Sequence, residues 1–374
     1  MRYSKTHYVQ YGLHGKNYEA SRPTLGQMTN KHCLLCGDPQ QPSRYMYQST
    51  QFLENHGVRF ERIDWRSDLS ATSFRDVTMD MEERGPNDYD ASDIIANIEE
   101  VEYLVVHKAP INRQVFETGE NLEVVAAARG GVENVDLKAA ADHDVTVIHA
   151  PGRNANAVSD YAVSFALAAH RQIPNFVKTT GRGEWSLEFD PEELPRDVEN
   201  LLIGIVGFGN IGQKVAERWA GFGADIVAYD PYVDNEVIRN HNAKPTDFKE
   251  LLSRADIVTL HVRLSEETRG MMGKREFERM KEDSLVVNTA RGGLIDTEAL
   301  VAALESKSVG GAALDVFEQE PLPEDHPLYS LENVWLSPHT AGSTRDAVLN
   351  GSRIVANDLE SILRGDEPTN RINS

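Results

Sequence analysis

The sequence predicts an α/β protein built as two doubly wound parallel-sheet units with a cleft between them. Three observations predict it. Short apolar runs alternate with helical patterns, which is how a parallel sheet covered on both faces reads. The alternation occurs twice, interrupted by a long apolar helix and a charged loop rich in Gly and Pro. At 374 residues the chain is also longer than one core usually grows.

Residues 1–30 are polar, tyrosine-bearing and aperiodic, and read as a mobile tail within which Met28 is an alternative start. Strands of the first unit are expected at 33–36, 103–107, 122–128 and 145–149, separated by polar, helix-compatible stretches. Pro151-Gly152 marks a hinge, and Ala155–His170 reads as an apolar helix. The second unit restarts at 201–206. Further strands follow at 225–229, 256–262, 284–289, 311–316 and 334–336. A last helix is expected near 344–364. The division is therefore residues 31–152 with 345–374 as one domain and 153–344 as the other.

Composition narrows the function. A formal net charge of -21 repels nucleic acid and anionic membranes, so neither is expected as a partner. It also repels acids at long range, so a site for them needs its own arginines; 26 of the 38 basic residues are Arg. Two cysteines rule out a disulfide scaffold. With no apolar run of membrane length and no leader, a cytoplasmic location is expected. Cys33-Leu34-Leu35-Cys36 has C-x-x-C spacing, but residues three apart on a strand point to opposite faces. Packing is expected there, and no metal site.

The strand at 201–206 runs into Gly207-Phe208-Gly209-Asn210-Ile211-Gly212, and a helix pattern follows. In such a turn the first glycine bends the chain, the second admits a pyrophosphate, and the third lets helix and strand pack. The pyrophosphate meets the positive end of the helix. Asp230 ends the next strand, 18 residues beyond Gly212 and close to the ~20 expected of the acid on the ribose hydroxyls. An acid there disfavours a 2′-phosphate, so NAD is expected over NADP.

Arg291, Glu320 and His339 each follow the carboxyl end of a predicted strand in the same unit. A guanidinium holds a carboxylate with two hydrogen bonds. An imidazole gives or takes a proton near neutral pH, and a neighbouring carboxylate orients it. Interconverting a 2-hydroxy acid and a 2-keto acid needs this set.

With these motifs in this order, residues 94–354 resemble the D-isomer-specific 2-hydroxyacid dehydrogenase family, phosphoglycerate dehydrogenase-like in type. The resemblance includes Ala128-Arg129-Gly130-Gly131-Val132-Glu133-Asn134-Val135-Asp136, the glycine turn, Asp230 and the three catalytic segments. It implies two flavodoxin/Rossmann-like domains, with substrate bound by the first and NAD by the second. It implies that Arg291 binds the substrate carboxylate, that His339 is the acid/base and that Glu320 pairs with it. Asp315 is implied to touch the nicotinamide carboxamide, and Thr289 and Ala290 to line that ring. Asn210 and Ile211 would cover the pyrophosphate, and Val262 would lie near the adenosine. Gly130 would face both substrate and cofactor, Gly131 the substrate and Gly342 the cofactor. A homodimer through the NAD-binding domain is also implied, with Ala155–His170 between subunits.

The family's substrate loop often reads Gly-x-Gly-x-Asp-Asn, whereas this chain has Arg129 at the first glycine. Arg129, Arg153 or Arg113 is expected to meet a second acidic group or phosphate of the substrate. Only 35 residues follow His339, too few for an added C-terminal regulatory domain. The alternative is an NAD(H)-sensing, corepressor-like scaffold on the same fold. Formate dehydrogenase is disfavoured, because that enzyme has glutamine where this chain has Glu320.

Overall fold

The computed structural model describes residues 30–185 and 194–372. The stretch read as a tail lies outside the described residues as far as residue 29. Two all-parallel sheets carry the fold. The first holds β1 (Lys31–Gly37), β2 (Val58–Asp64), β3 (Tyr103–Val106), β4 (Val124–Ala127) and β5 (Thr146–His149), in the order β2-β1-β3-β4-β5. The second holds β6 (Leu202–Val206), β7 (Asp225–Tyr229), β8 (Lys244–Pro245), β9 (Ile257–Leu260), β10 (Leu285–Asn288), β11 (Gly311–Leu314) and β12 (Val334–Leu336). Its order is β12-β11-β10-β9-β6-β7-β8.

Every strand read from the sequence is present. The central ones, β3, β4, β9 and β10, are buried along their whole length, as continuous Val/Leu/Ala runs require. β2 and β8 were not read from the sequence. β2 is an edge strand of mixed charge and patchy burial. β8 is a two-residue edge ending at Pro245, which has no N–H for a ladder.

Cys33 and Cys36 lie on opposite faces of β1. Cys33 packs with Met46, Tyr103 and Val355, and Cys36 with Trp65, Phe74 and Ile94. Both are free and fully buried, and burial pushes both thiols well above their ordinary range. The closing helix Arg345–Leu363 adds Val355, Ala356 and Leu359 to the first core. Helix Ala155–His170 turns Ala162, Val163 and Ala166 into the second core, beside Val215 and Trp219 of helix Asn210–Gly221. Among the described residues no helix is long and apolar enough to cross a membrane.

Strand order decides where ligands go. A doubly wound sheet opens a crevice outside the carboxyl ends of the strands where its winding reverses. That point lies between β1 and β3 in the first sheet and between β6 and β9 in the second.

Candidate active site

β6 enters the glycine turn at Gly207, whose φ is +92°. A Cβ there would stand 2.7 Å from His261 and Val262 at the end of β9, across the reversal point. A Cβ on Gly212 would stand 2.1 Å from the Gly207 carbonyl oxygen. The chain's own packing therefore excludes side chains at both positions. At Gly209 a Cβ would meet nothing within 4 Å. That open approach leads to the N-terminus of helix Asn210–Gly221, the arrangement that admits a pyrophosphate.

Asp230, half-buried after β7, is wired into this turn. Its Oδ2 accepts the Phe208 N–H at 2.7 Å, and its Oδ1 accepts those of Tyr232 and Val233 at 2.9 and 3.2 Å. Sequence spacing singled out the acid for a ribose but did not reveal that it braces this loop. Around the same crevice two buried polar atoms lack a hydrogen-bond partner, Thr289 Oγ1 after β10 and His261 Nδ1 after β9. His261 Nε2 bonds Thr259 Oγ1 at 2.9 Å, and burial brings the imidazole down to about 3, so it is neutral. An open cradle beside orphaned donors and acceptors fits a bound dinucleotide. Val262, Ala290 and Ile211 are half-buried hydrophobics on the edge of the second core. Gly342 and Gly152 lie at the seam between units: a Cβ on Gly342 would stand 2.8 Å from the Asn154 amide, and one on Gly152 2.9 Å from that of Asn210.

His339 follows β12 in a left-handed conformation, φ +54°, which costs a non-glycine residue of order 1 kcal/mol. Asp315 holds it there. Fully buried after β11, Asp315 accepts the Ser337 hydroxyl at 2.7 Å and the Thr340 and Ala341 N–H groups at 2.9 and 2.8 Å. The resemblance assigned Asp315 to the nicotinamide carboxamide; the structure shows it bracing the loop that carries His339. Its acceptors are turned under the loop that carries His339.

Glu320 and His339 are brought together. His339 Nδ1 lies 2.9 Å from Glu320 Oε2 and 3.2 Å from Oε1. Glu320 Oε1 also accepts the Phe317 N–H at 2.9 Å. Burial works against the Glu320 charge. The His339 hydrogen bond, the Phe317 N–H and the charges on His339 and Arg75 outweigh it and hold the carboxyl below its ordinary range. Arg291 stands at the end of β10, exposed, with Nη1 donating to the Ala290 carbonyl at 2.8 Å. It does not bond the pair. Instead Arg75, from the first unit, donates to Glu320 Oε2, with the same Nη2 2.9 Å from His339 Nδ1. No motif singled out Arg75, because it lies in a polar helix that the sequence joins to nothing.

Across the cleft the first sheet offers cations. After β3, His107 Nδ1 meets Asp38 at 2.8 Å, and the Lys108 N–H donates to the same carboxylate at 3.1 Å. Burial outweighs Asp38 and brings the His107 imidazole down to about 4. Arg129 is nearly buried and bonds Glu82 at 2.5 Å, with Glu133 3.3 Å away. Arg153 donates to the Ala347 carbonyl at 3.2 Å, with His107 Nε2 at 3.5 Å. Burial, then Arg129, presses Arg153 to about 10 and Lys108 to about 8. Lys108 was missed because one lysine after a strand carries no pattern. Gly130 is exposed and its carbonyl is 2.7 Å from His149 Nδ1. The Glu133 carboxylate folds over Gly131, 2.2 Å from where a Cβ would stand. Arg113 is set apart, paired with Asp142 at 2.8 Å on an exposed face.

Fold and glycine turn together are those of a two-unit α/β protein with a dinucleotide-binding turn. Residues 163–341 match the family model described as D-isomer specific 2-hydroxyacid dehydrogenase, NAD binding domain. A glyoxylate reductase of Korarchaeum cryptofilum is 37% identical over 71% of this chain and 80% of its own. A D-3-phosphoglycerate dehydrogenase of Archaeoglobus fulgidus is 36% identical over 75% of this chain but 53% of its own, so the chain spans about half the length of that relative. The NAD-complexed D-isomer specific 2-hydroxyacid dehydrogenase from Lactobacillus delbrueckii shares the fold. Its TM-score is 0.75 at 22% identity, covering 92% of this chain and 100% of that one. The chain belongs to the D-isomer specific 2-hydroxyacid dehydrogenase family.

Proposed function

We propose that this chain is an NAD-dependent oxidoreductase that interconverts a D-2-hydroxy acid and its 2-keto acid. The observation that carries the reading is the His339–Glu320 pair, 2.9 Å apart, set at strand ends of the sheet that bears the glycine turn. In this reading residues 31–152 with 345–374 hold the substrate, and residues 153–344 hold the cofactor.

NAD, when bound, supplies or takes the hydride. The remaining chemistry belongs to side chains. Arg291, at the cleft and free to turn, grips the substrate carboxylate and steadies negative charge on the reacting oxygen. With Nδ1 directed to Glu320, His339 presents Nε2 to that oxygen. It gives a proton there in the reduction and takes one in the oxidation. Such transfer is worth ~10²–10⁴ in rate. The cations at Lys108, Arg129 and Arg153 support a substrate with a second acidic group or phosphate, of phosphoglycerate or hydroxypyruvate type. The free thiols and acidic surface support a cytoplasmic location, which cell fractionation would check. Exposed Ile173 and Val177 on helix Ile173–Gly181, with Trp185 beyond, support a homodimer.

The test is a panel of 2-keto and 2-hydroxy acids with NAD(H) and NADP(H). Turnover of at least one pair is expected, faster with NAD(H) because of Asp230. No turnover of any acid would refute the reading, and equal use of NADP would refute the role given to Asp230.

A further inference from the structure

Helix Ala71–Arg84 lies between β2 and β3, and its sequence explains its seat. Ser70 caps it by accepting the Ser73 N–H, and Phe74 and Met81 are buried in the first core. Residues 75, 78 and 82 then fall on one stripe, and each reaches a functional group. Thr78 Oγ1 lies 3.4 Å from Lys108 Nζ, Glu82 bonds Arg129, and Arg75 reaches Glu320 and His339, 245 and 264 residues away.

We propose that Arg75 is a positioning residue of the reaction, supplied by the first unit to the Glu320–His339 pair when the two units are together. This rests on the reading of that pair as the acid/base machinery. Glu320 has a backbone donor and an imidazole on its own side of the cleft, and Arg75 across it. Of these only the guanidinium carries a charge that does not titrate in the working range. By bonding Oε2 it fixes the carboxylate that orients the ring and stabilises its ionised form. A guanidinium donates and never accepts. At the Nδ1 edge it therefore opposes a second positive charge on the ring, which Glu320 favours. That balance suits a group that must both give and take a proton. It also makes the arrangement depend on closure, because the arginine comes from the helix Ala71–Arg84 of the first unit and the pair from loops that follow strands of the second sheet.

The test compares wild type with Arg75→Gln and Arg75→Lys in NADH-dependent reduction of glyoxylate. That acid has no distal group for Lys108 or Arg129, so only the pair is probed. Arg75→Gln should lower kcat by about ten- to a hundredfold, with the Kd for NADH within about twofold of wild type. The acid limb of its pH profile should move to higher pH, because Glu320 loses a cation that favours its ionised form; Arg75→Lys should restore part of that shift. Wild-type kcat and pH profile in Arg75→Gln would overturn the proposal, as would a change confined to melting temperature. If wild type reduces neither glyoxylate nor any other 2-keto acid, the functional reading fails on its own account. The proposal then answers to a carboxyl-carbon NMR titration of Glu320, which must move up in Arg75→Gln and would contradict it by staying put.

Discussion

Among single residues, the charged groups at the cleft divide, under the proposed function, into those that serve proton transfer at the reacting oxygen and those that would read the rest of the substrate. His339 and Glu320 belong to the first group. Lys108, Arg129 and Arg153 belong to the second, and they crowd one another: burial and the Arg129 charge weaken the hold of Lys108 and Arg153 on their protons. An anion placed among them relieves that cost. Losing a hydrogen bond to a charged group costs about 1.5–3 kcal/mol, roughly ten- to a hundredfold in affinity. Arg129→Gln and Arg153→Gln, assayed singly, should therefore raise KM for a 2-keto acid with a second acidic group by about tenfold or more. The KM for glyoxylate should stay near wild type. Unchanged KM for the diacid in both variants would remove these residues from recognition.

Secondary-structure elements were legible where they are central and repetitive. β6, the glycine turn and helix Asn210–Gly221 could be read directly, since only glycine suits Gly207 and Gly212. Gly207→Ala would force φ +92° on alanine and drive its methyl into His261 and Val262. We expect NADH affinity to fall at least about tenfold and the melting temperature to drop; normal binding would show that the turn tolerates a shift. β2 and β8 were hidden because edge strands bury little and carry charge. Helix Ala71–Arg84 was hidden for a different reason. Its stripe Arg75–Thr78–Glu82 reads as an ordinary solvated face, and only the fold sets it against residues far away in sequence. For the same reason spacing placed Asp315 near the site without revealing that it braces the His339 loop.

At the scale of the whole molecule, two sheets open toward one another through the carboxyl ends of their strands, and Arg75 reaches from the first unit to the Glu320–His339 pair. Helix Ala155–His170, expected between subunits, spends much of its apolar surface inside its own chain. The following helix leaves Ile173, Phe176 and Val177 outside, with Val177 68% exposed. Sedimentation should show a dimer that Ile173→Asp with Val177→Asp converts to monomer; an unchanged dimer would move the interface elsewhere. The central claim is hydride transfer assisted by His339. Its most direct measurement uses NADH carrying deuterium at both C4 positions, a 2-keto acid, and mass analysis of the product at C2. Wild type should place deuterium at C2, and His339→Ala should bind NADH yet transfer it ~10²–10⁴ times more slowly. Failure of the wild type to transfer deuterium to any 2-keto acid, or transfer at the wild-type rate by His339→Ala, would contradict the account.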